Sequence, residues 1–297
     1  FLKKLGLGTA ALSMFPIDVL SSEKELKQLT ILHTNDTHSH IHPFSSGRNK
    51  GLGGMSQRST IIKQIRKEGN QVLLLDAGDI FQGTPYYNVY GGELELKLMS
   101  QMGYDASTIG NHDFDNGISG LVSQLPHANF PFIVSNYDFS DTQMHDKYLK
   151  YKVFNKGGIK IGVFGIGIEL EGLVPKKLFR NTQYKNPIER SNYYSNYLKK
   201  ILGCDLVICL SHLGYKYRSK KISDLVLASK TKNIDLIIGG HTHTFLNKPI
   251  FVQNLDKKNV QIAQVGWAGI NIGRIDYFFN NKMCVKKILG SSISIKN

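Results

Sequence analysis

The chain has 297 residues, 41% hydrophobic and 20% charged, which is normal for a soluble globular protein with a sizeable core in one large domain or two small ones. Its net charge of +14 is uneven, with 18 Lys/Arg against 6 Asp/Glu between Asp146 and Lys232; this reads as a lysine-rich solvated face or as steering of anionic substrates, and no recognition motif makes nucleic acid an expected partner. Three cysteines without a Cys-x-x-Cys exclude a disulfide framework and a thiolate zinc site, and Cys204 and Cys209 lie in or beside an apolar run as small core residues.

In chain order, residues 1–24 come first. "FLKKLGLGTAALSMFPIDVLSS" has lysines near its start, a short apolar stretch and then small residues. The stretch is too short to span a bilayer and is broken by Pro16 and Asp18. "FLKK" resembles the end of a twin-arginine export motif. The expectation is an export signal over 1–24 and a periplasmic or cell-surface protein with no transmembrane anchor. Residues 25–297 are then one catalytic domain.

After Glu23 short apolar runs alternate with amphipathic stretches. Strands are expected at Leu29–His33, Val72–Leu75, Ala106–Ile109, Phe132–Ser135, Ile159–Phe164, Asp205–Leu210 and Asp235–Ile238. Helices are expected at Met55–Glu68, Gly92–Met102, Pro187–Leu202 and Lys221–Lys230. This alternation argues an α/β fold with mostly buried sheets. Val260–Val265, Ile270–Phe278 and Lys282–Ile288 follow without helices between them and read as an antiparallel portion.

Five strands end in residues able to bind a ligand: "ILHTNDTH", "LLLDAGD", "STIGNHDFD", "LVICLSH" and "LIIGGHTH". In open α/β sheets, sites form at the carboxyl ends of strands, so five ends can converge on one site. Asp36 and His38 are two apart, and on an extended backbone they share a side, which suits one metal ion. His241 and His243 repeat the spacing after two glycines. With Asp79, Asn111 and His212 there are seven candidate ligands: four imidazoles, two carboxylates and an amide. That mixed set suits Zn, Mn, Fe or Co, and it is too large for one tetrahedral ion but fits two divalent ions sharing a carboxylate. His33 has the opposite parity and reads as structural. His40 reads as lying behind the ligands at most, and His42, before Pro43, as a surface residue.

"HTNDTH", "DAGDIFQGTP", "GNHDFD", "SHLG" and "GGHTH", in this order, resemble the motifs of calcineurin-like metallophosphoesterases. "HTND", "GD-x-x-QGTP" and "GNH-x-FD-x-G" narrow the resemblance to the 5′-nucleotidase/UDP-sugar hydrolase branch, over about Gln28 to Phe278. The resemblance implies a four-layer α-β-β-α sandwich of two mixed sheets. It implies that Asp36, His38 and His243 hold a first metal, that Asp79 bridges, and that Asn111, His212 and His241 hold a second. His112 matches the catalytic histidine and Asp115 the acid paired with it. Asp113 reads as lying behind the ligands or facing solvent.

The implied reaction is hydrolysis of phosphate esters, nucleotides first, by a metal-bridging hydroxide, with Asn111 touching a phosphoryl oxygen and His112 assisting the leaving group. Alternatives are a phosphodiesterase acting on a cyclic nucleotide or UDP-sugar, and the catalytic half of a split 5′-nucleotidase whose nucleotide-binding domain is a separate protein. A thiosulfohydrolase and a non-catalytic metal-binding surface protein rank below these. Substrate-binding residues are not legible, although "YKYRSKK", Tyr215 to Lys221, reads either as phosphate contacts or as a solvated loop.

Overall fold

Two β-sheets stacked face to face organise the chain in the computed structural model, which describes residues 26–296. The export signal expected over 1–24 lies outside the described residues. The first half gives β1 (Lys27–Thr34), α1 (Met55–Lys67), β2 (Gln71–Asp76), α2 (Pro85–Tyr90), α3 (Glu93–Met102), β3 (Ala106–Ser107), α4 (Gly117–Gln124), β4 (Tyr137–Asp138), β5 (Tyr151–Lys156) and β6 (Ile159–Ile166). The second half gives α5 (Lys176–Phe179), β7 (Gln183–Tyr184), α6 (Pro187–Asn196), β8 (Leu206–Ser211), α7 (Asp224–Lys230), β9 (Leu236–Gly239), β10 (Ile250–Gln253), β11 (Asn259–Ala263), β12 (Asn271–Phe279) and β13 (Val285–Ser294).

One sheet has the order β13-β12-β1-β2-β3 and the other β10-β11-β9-β8-β6-β5, with β4 and β7 pairing separately. Both are mixed. β1, β2 and β3 run parallel, as do β6, β8, β9 and β11, while the flanking strands are antiparallel. Three apolar layers account for the stacking. Leu29, Ile31, Leu73 and Leu75 meet Ile161, Val163, Ile208 and Leu210 between the sheets. The alternate residues Leu32, Val72 and Leu74 pack under α1 and α3 through Ile62, Ile65, Leu96 and Met99. Val207, Cys209 and Ile237 pack under α6 and α7 through Tyr194 and Leu227. β2 and β8 are thus apolar on both faces, which is why they read as unbroken apolar runs. Each such side chain contributes about 1.5–3 kcal/mol by its burial. The result is the four-layer α-β-β-α sandwich of two mixed sheets.

Some expectations are corrected. Val260–Val265 does not pair with the last strands: β11 runs parallel to β9, whereas β12 and β13 cross to the other sheet. Alternating burial specifies a buried strand but not its partner. Phe132–Ser135 is not a regular strand and makes only single bridges to Ser107 and Leu149. The stretch before Gly92 carries a separate helix, α2, because Gly91 and Gly92 both take positive φ (64° and 109°) and turn the chain. β5 went unread because its residues are only partly buried and include two lysines.

Candidate metal centre

The site grows from loops at the carboxyl ends of parallel strands. β1 ends at Thr34, and the next residues turn through left-handed backbone at Asp36 (φ 48°), His38 (φ 46°) and Ser39 (φ 57°). This loop runs beside the one after β2: the N–H groups of Asp36, His38 and Ser39 donate to the carbonyls of Gly78 (2.9 Å), Asp79 (3.1 Å) and Ile80 (2.9 Å). Asp79 (φ 55°), His241 (φ 70°) and His243 (φ 51°) are left-handed as well. Such backbone costs roughly 1 kcal/mol or more per non-glycine residue and persists only where surrounding contacts over-determine it.

Asp113 supplies much of that constraint. Its carboxylate is buried and accepts from the backbone N–H of Asp79 (3.1 Å), Ile80 (2.9 Å), Phe81 (3.2 Å) and Gly110 (2.8 Å). It does not face solvent; it braces the Asp79 loop from behind. Burial and the Asp79 charge push its pKa up to about 7. Gly110 closes the same contact, because a Cβ there would overlap the Asp79 side chain.

The seven candidate ligands, drawn from five segments, come together. The donor atoms of Asp36, His38 and His243 form one group and those of Asp79, His212 and His241 a second, each within 4.8 Å internally. Asp79 lies between them, its Oδ2 3.1 Å from His212 Nε2 and 3.8 Å from His38 Nε2. The Oδ1 of Asn111 is 2.7 Å from His241 Nδ1. His241 and His243 therefore fall in different groups, as the resemblance implies. Their spacing of two does not put them on a common side, because the chain is not extended there. Asp36 and His38 do share a group, but through a left-handed turn rather than a strand.

Three observations fit these residues to divalent cations. His38 Nδ1–H donates to the Phe81 carbonyl (3.2 Å) and His212 Nδ1–H to the Ala77 carbonyl (2.6 Å), which leaves Nε2 as the ring nitrogen each offers to a cation in exchange for any proton there. His212 Nε2 is buried and makes no well-directed hydrogen bond, despite its 3.1 Å approach to Asp79; two ligands converging on one ion have this relation. Finally, His38 Nε2 and His243 Nε2 face each other at 3.1 Å. The buried carboxylates also call for positive charge. Burial alone would lower the His212 pKa, but Asp79, Asp36 and the Ala77 carbonyl raise it to about 10. His241 is driven to about 4 by burial and by the His212 charge.

At the rim, His112 is half-exposed and sits 5.3 Å, centroid to centroid, from His38. Its backbone N–H donates to Asp79 Oδ1 (2.8 Å), and its Nδ1 lies 3.0 Å from Asp115 Oδ2. That hydrogen bond is the main cause of a raised His112 pKa.

The other histidines of the first motif stand outside the two groups. His33 is buried against Gly273, and burial lowers its pKa to about 4. His40 stacks on Phe44 at 4.8 Å. His42 is exposed. In "YKYRSKK", Lys221 lies over the Tyr217 ring and its charge is felt at His241, while Lys216, Arg218 and Lys220 are exposed. Two participants were not singled out in the sequence. Asn35 hydrogen-bonds Asp36 Oδ2 (2.6 Å) and ties it to Val265 and Gly266. Trp267, the only tryptophan, stacks beside His243. Its one visible signal is a lone aromatic between glycines in "VGWAG".

Comparison with known proteins places this geometry. The family model for calcineurin-like phosphoesterase matches residues 29–245. A snake venom 5′-nucleotidase from Crotalus adamanteus is 34% identical over 288 residues, covering 90% of this chain and 48% of the venom protein. The 5′-nucleotidase precursor of Thermus thermophilus superposes with a TM-score of 0.82 at 29% identity, over 91% of this chain and 55% of that one. A calcineurin-like phosphoesterase of Bacillus subtilis superposes with a TM-score of 0.73 at 25% identity, over 91% of each chain. The chain spans about half the length of the curated 5′-nucleotidases it matches. On the match over residues 29–245, the chain belongs to the calcineurin-like phosphoesterase family.

Proposed function

We propose that this chain hydrolyses phosphate esters, nucleoside 5′-monophosphates first among them, at a site that holds two divalent cations drawn from Zn, Mn, Fe and Co. The observation that carries the reading is the Asp79 carboxylate between two His/Asp groups, with a His112–Asp115 pair at the same rim. Asp36, His38 and His243 would hold one ion and Asn111, His212 and His241 the other, with Asp79 shared. When bound, such ions lower the pKa of a water nucleophile and neutralise charge on the phosphoryl oxygens.

The remaining roles belong to the chain itself. The amide NH₂ of Asn111 is positioned to donate to a phosphoryl oxygen while its Oδ1 faces His241. Asp115 holds the Nδ1–H of His112, which orients the ring and stabilises its charged form. Protonated His112 then donates a hydrogen bond or proton to the leaving oxygen, a contribution of about 10²- to 10⁴-fold. A pure binding module needs no such pair.

Residues 25–297 would act as one catalytic domain of an exported protein. No helix among the described residues is long and apolar enough to cross a membrane. Because the matched relatives are about twice as long, a separate or further C-terminal domain is the natural partner for nucleotide selection. The test is hydrolysis of AMP, read as released phosphate, and of UDP-glucose, a 2′,3′-cyclic nucleotide and a nitrophenyl diester, read as released UMP, nucleoside monophosphate and nitrophenol, using metal-stripped protein reconstituted with each ion. Turnover of AMP supports the monoesterase reading, turnover of the diesters alone replaces it with a phosphodiesterase, and no turnover with bound metal refutes it.

A further inference from the structure

We propose that Trp267 is a positioning residue that holds the His243 ring in place and favours its metal-bound form; this rests on the dimetal reading above. Two of the other candidate ligand histidines have their orientation fixed by a carbonyl, Phe81 for His38 and Ala77 for His212. His243 differs. Its side chain is 41% exposed, against 6% for His38 and 0% for His212. Its Nε2 approaches His38 Nε2 (3.1 Å) and Asp36 Oδ1 (3.4 Å), both members of its own ligand group, and it has no backbone carbonyl partner like those of His38 and His212 among the described residues. What it has is Trp267: the rings are 10° from parallel with centroids 5.8 Å apart.

The indole is itself immobilised. His40 and Phe44 pack edge-on against it, at 5.4 Å and 5.9 Å. Its loop is tied to both ligand segments of the first group. Ala268 N–H donates to the Asp36 carbonyl (2.7 Å), and Gly266 N–H to the Thr244 carbonyl (3.0 Å). Asn35 links Asp36 Oδ2 to the Gly266 carbonyl and accepts from Val265 N–H. The indole plane is therefore a fixed wall beside an imidazole whose polar contacts are with its fellow ligands Asp36 and His38.

The wall also acts electronically. An imidazole that donates its lone pair to a cation becomes electron-poor, and the face of an indole attracts positive charge within about 6 Å of its centroid. The stack therefore stabilises metal-bound His243 more than free His243. It takes over the restraint that a hydrogen-bonded carbonyl gives the buried ligands. Losing it should weaken the first-group ion on the order of tenfold and leave the second ion unchanged.

Stripped protein is titrated with Co²⁺, reading bound metal by equilibrium dialysis and emission from the single tryptophan. Wild type should bind two ions, and its emission should fall with the binding step that His243→Ala abolishes. Trp267→Ala should hold the first-group ion about tenfold more weakly with the other constant unchanged, and Trp267→Phe should restore most of the loss. Unchanged constants in Trp267→Ala, or wild-type emission indifferent to both ions, would overturn the proposal. A wild-type chain that binds no ion overturns the dimetal reading as well, so the two failures are told apart.

Discussion

The Nδ1 of His112 lies 3.0 Å from the Oδ2 of Asp115, three residues on. This contact raises the imidazole pKa, so the protonated ring persists to higher pH than a free histidine would allow. A general acid works while protonated, so the rate should fall as pH rises through that pKa. Asp115→Asn should move the alkaline limb of the kcat/KM profile to lower pH. His112→Ala should lose about 10²- to 10⁴-fold in kcat while keeping its metal, with the largest loss on esters of poor leaving groups. An unmoved limb in Asp115→Asn would remove the pair from the mechanism.

Gly110→Ala should be nearly as damaging as losing a ligand. The added methyl would overlap Asp79, the carboxylate placed between the two groups. A displacement of about 1 Å at such a centre costs on the order of 10²-fold in rate. Circular dichroism should show the fold intact while kcat drops by roughly that factor.

Asp113→Ala removes the acceptor for four backbone N–H groups in two adjoining buried loops, those after β2 and β3. We expect a loss of about 3 kcal/mol or more in urea unfolding of the metal-free protein. A change under about 0.5 kcal/mol would mean the loops are braced elsewhere.

Acid stability should carry the signature of His33. Its folded pKa is depressed to about 4, so the fold keeps the ring neutral while the unfolded chain takes a proton near pH 6.5. The stability it preserves is therefore present above pH 6.5 and is lost as pH falls toward 4, by about 3 kcal/mol in all. In His33→Leu the unfolding free energy should fall less steeply between pH 6.5 and 4 than in wild type. Equal slopes would exclude His33 as a source of acid sensitivity.

How far the sequence reached depended on the physics of each element. β2 and β8 were legible because burial on both faces writes a continuous apolar run. β5, a partly buried edge strand with lysines, writes no such signal. The partner of β11 was not legible because burial constrains a strand's faces and not its neighbour. All seven candidate ligands were legible through motif order, yet the spacing rule behind Asp36 and His38 was not the operative one. Left-handed turns place them, and similar turns send His241 and His243 to different groups. The brace at Asp113 and the stack at Trp267 arise from residues far apart in the chain, where no local pattern reports them.

Metal stoichiometry coupled to turnover bears hardest on the proposal. Stripped protein should be inactive toward AMP, regain activity on binding two divalent ions per chain, and lose both binding and activity in Asp79→Ala. Stripped wild type that hydrolyses AMP unaided, or Asp79→Ala that retains two ions and full turnover, would contradict it.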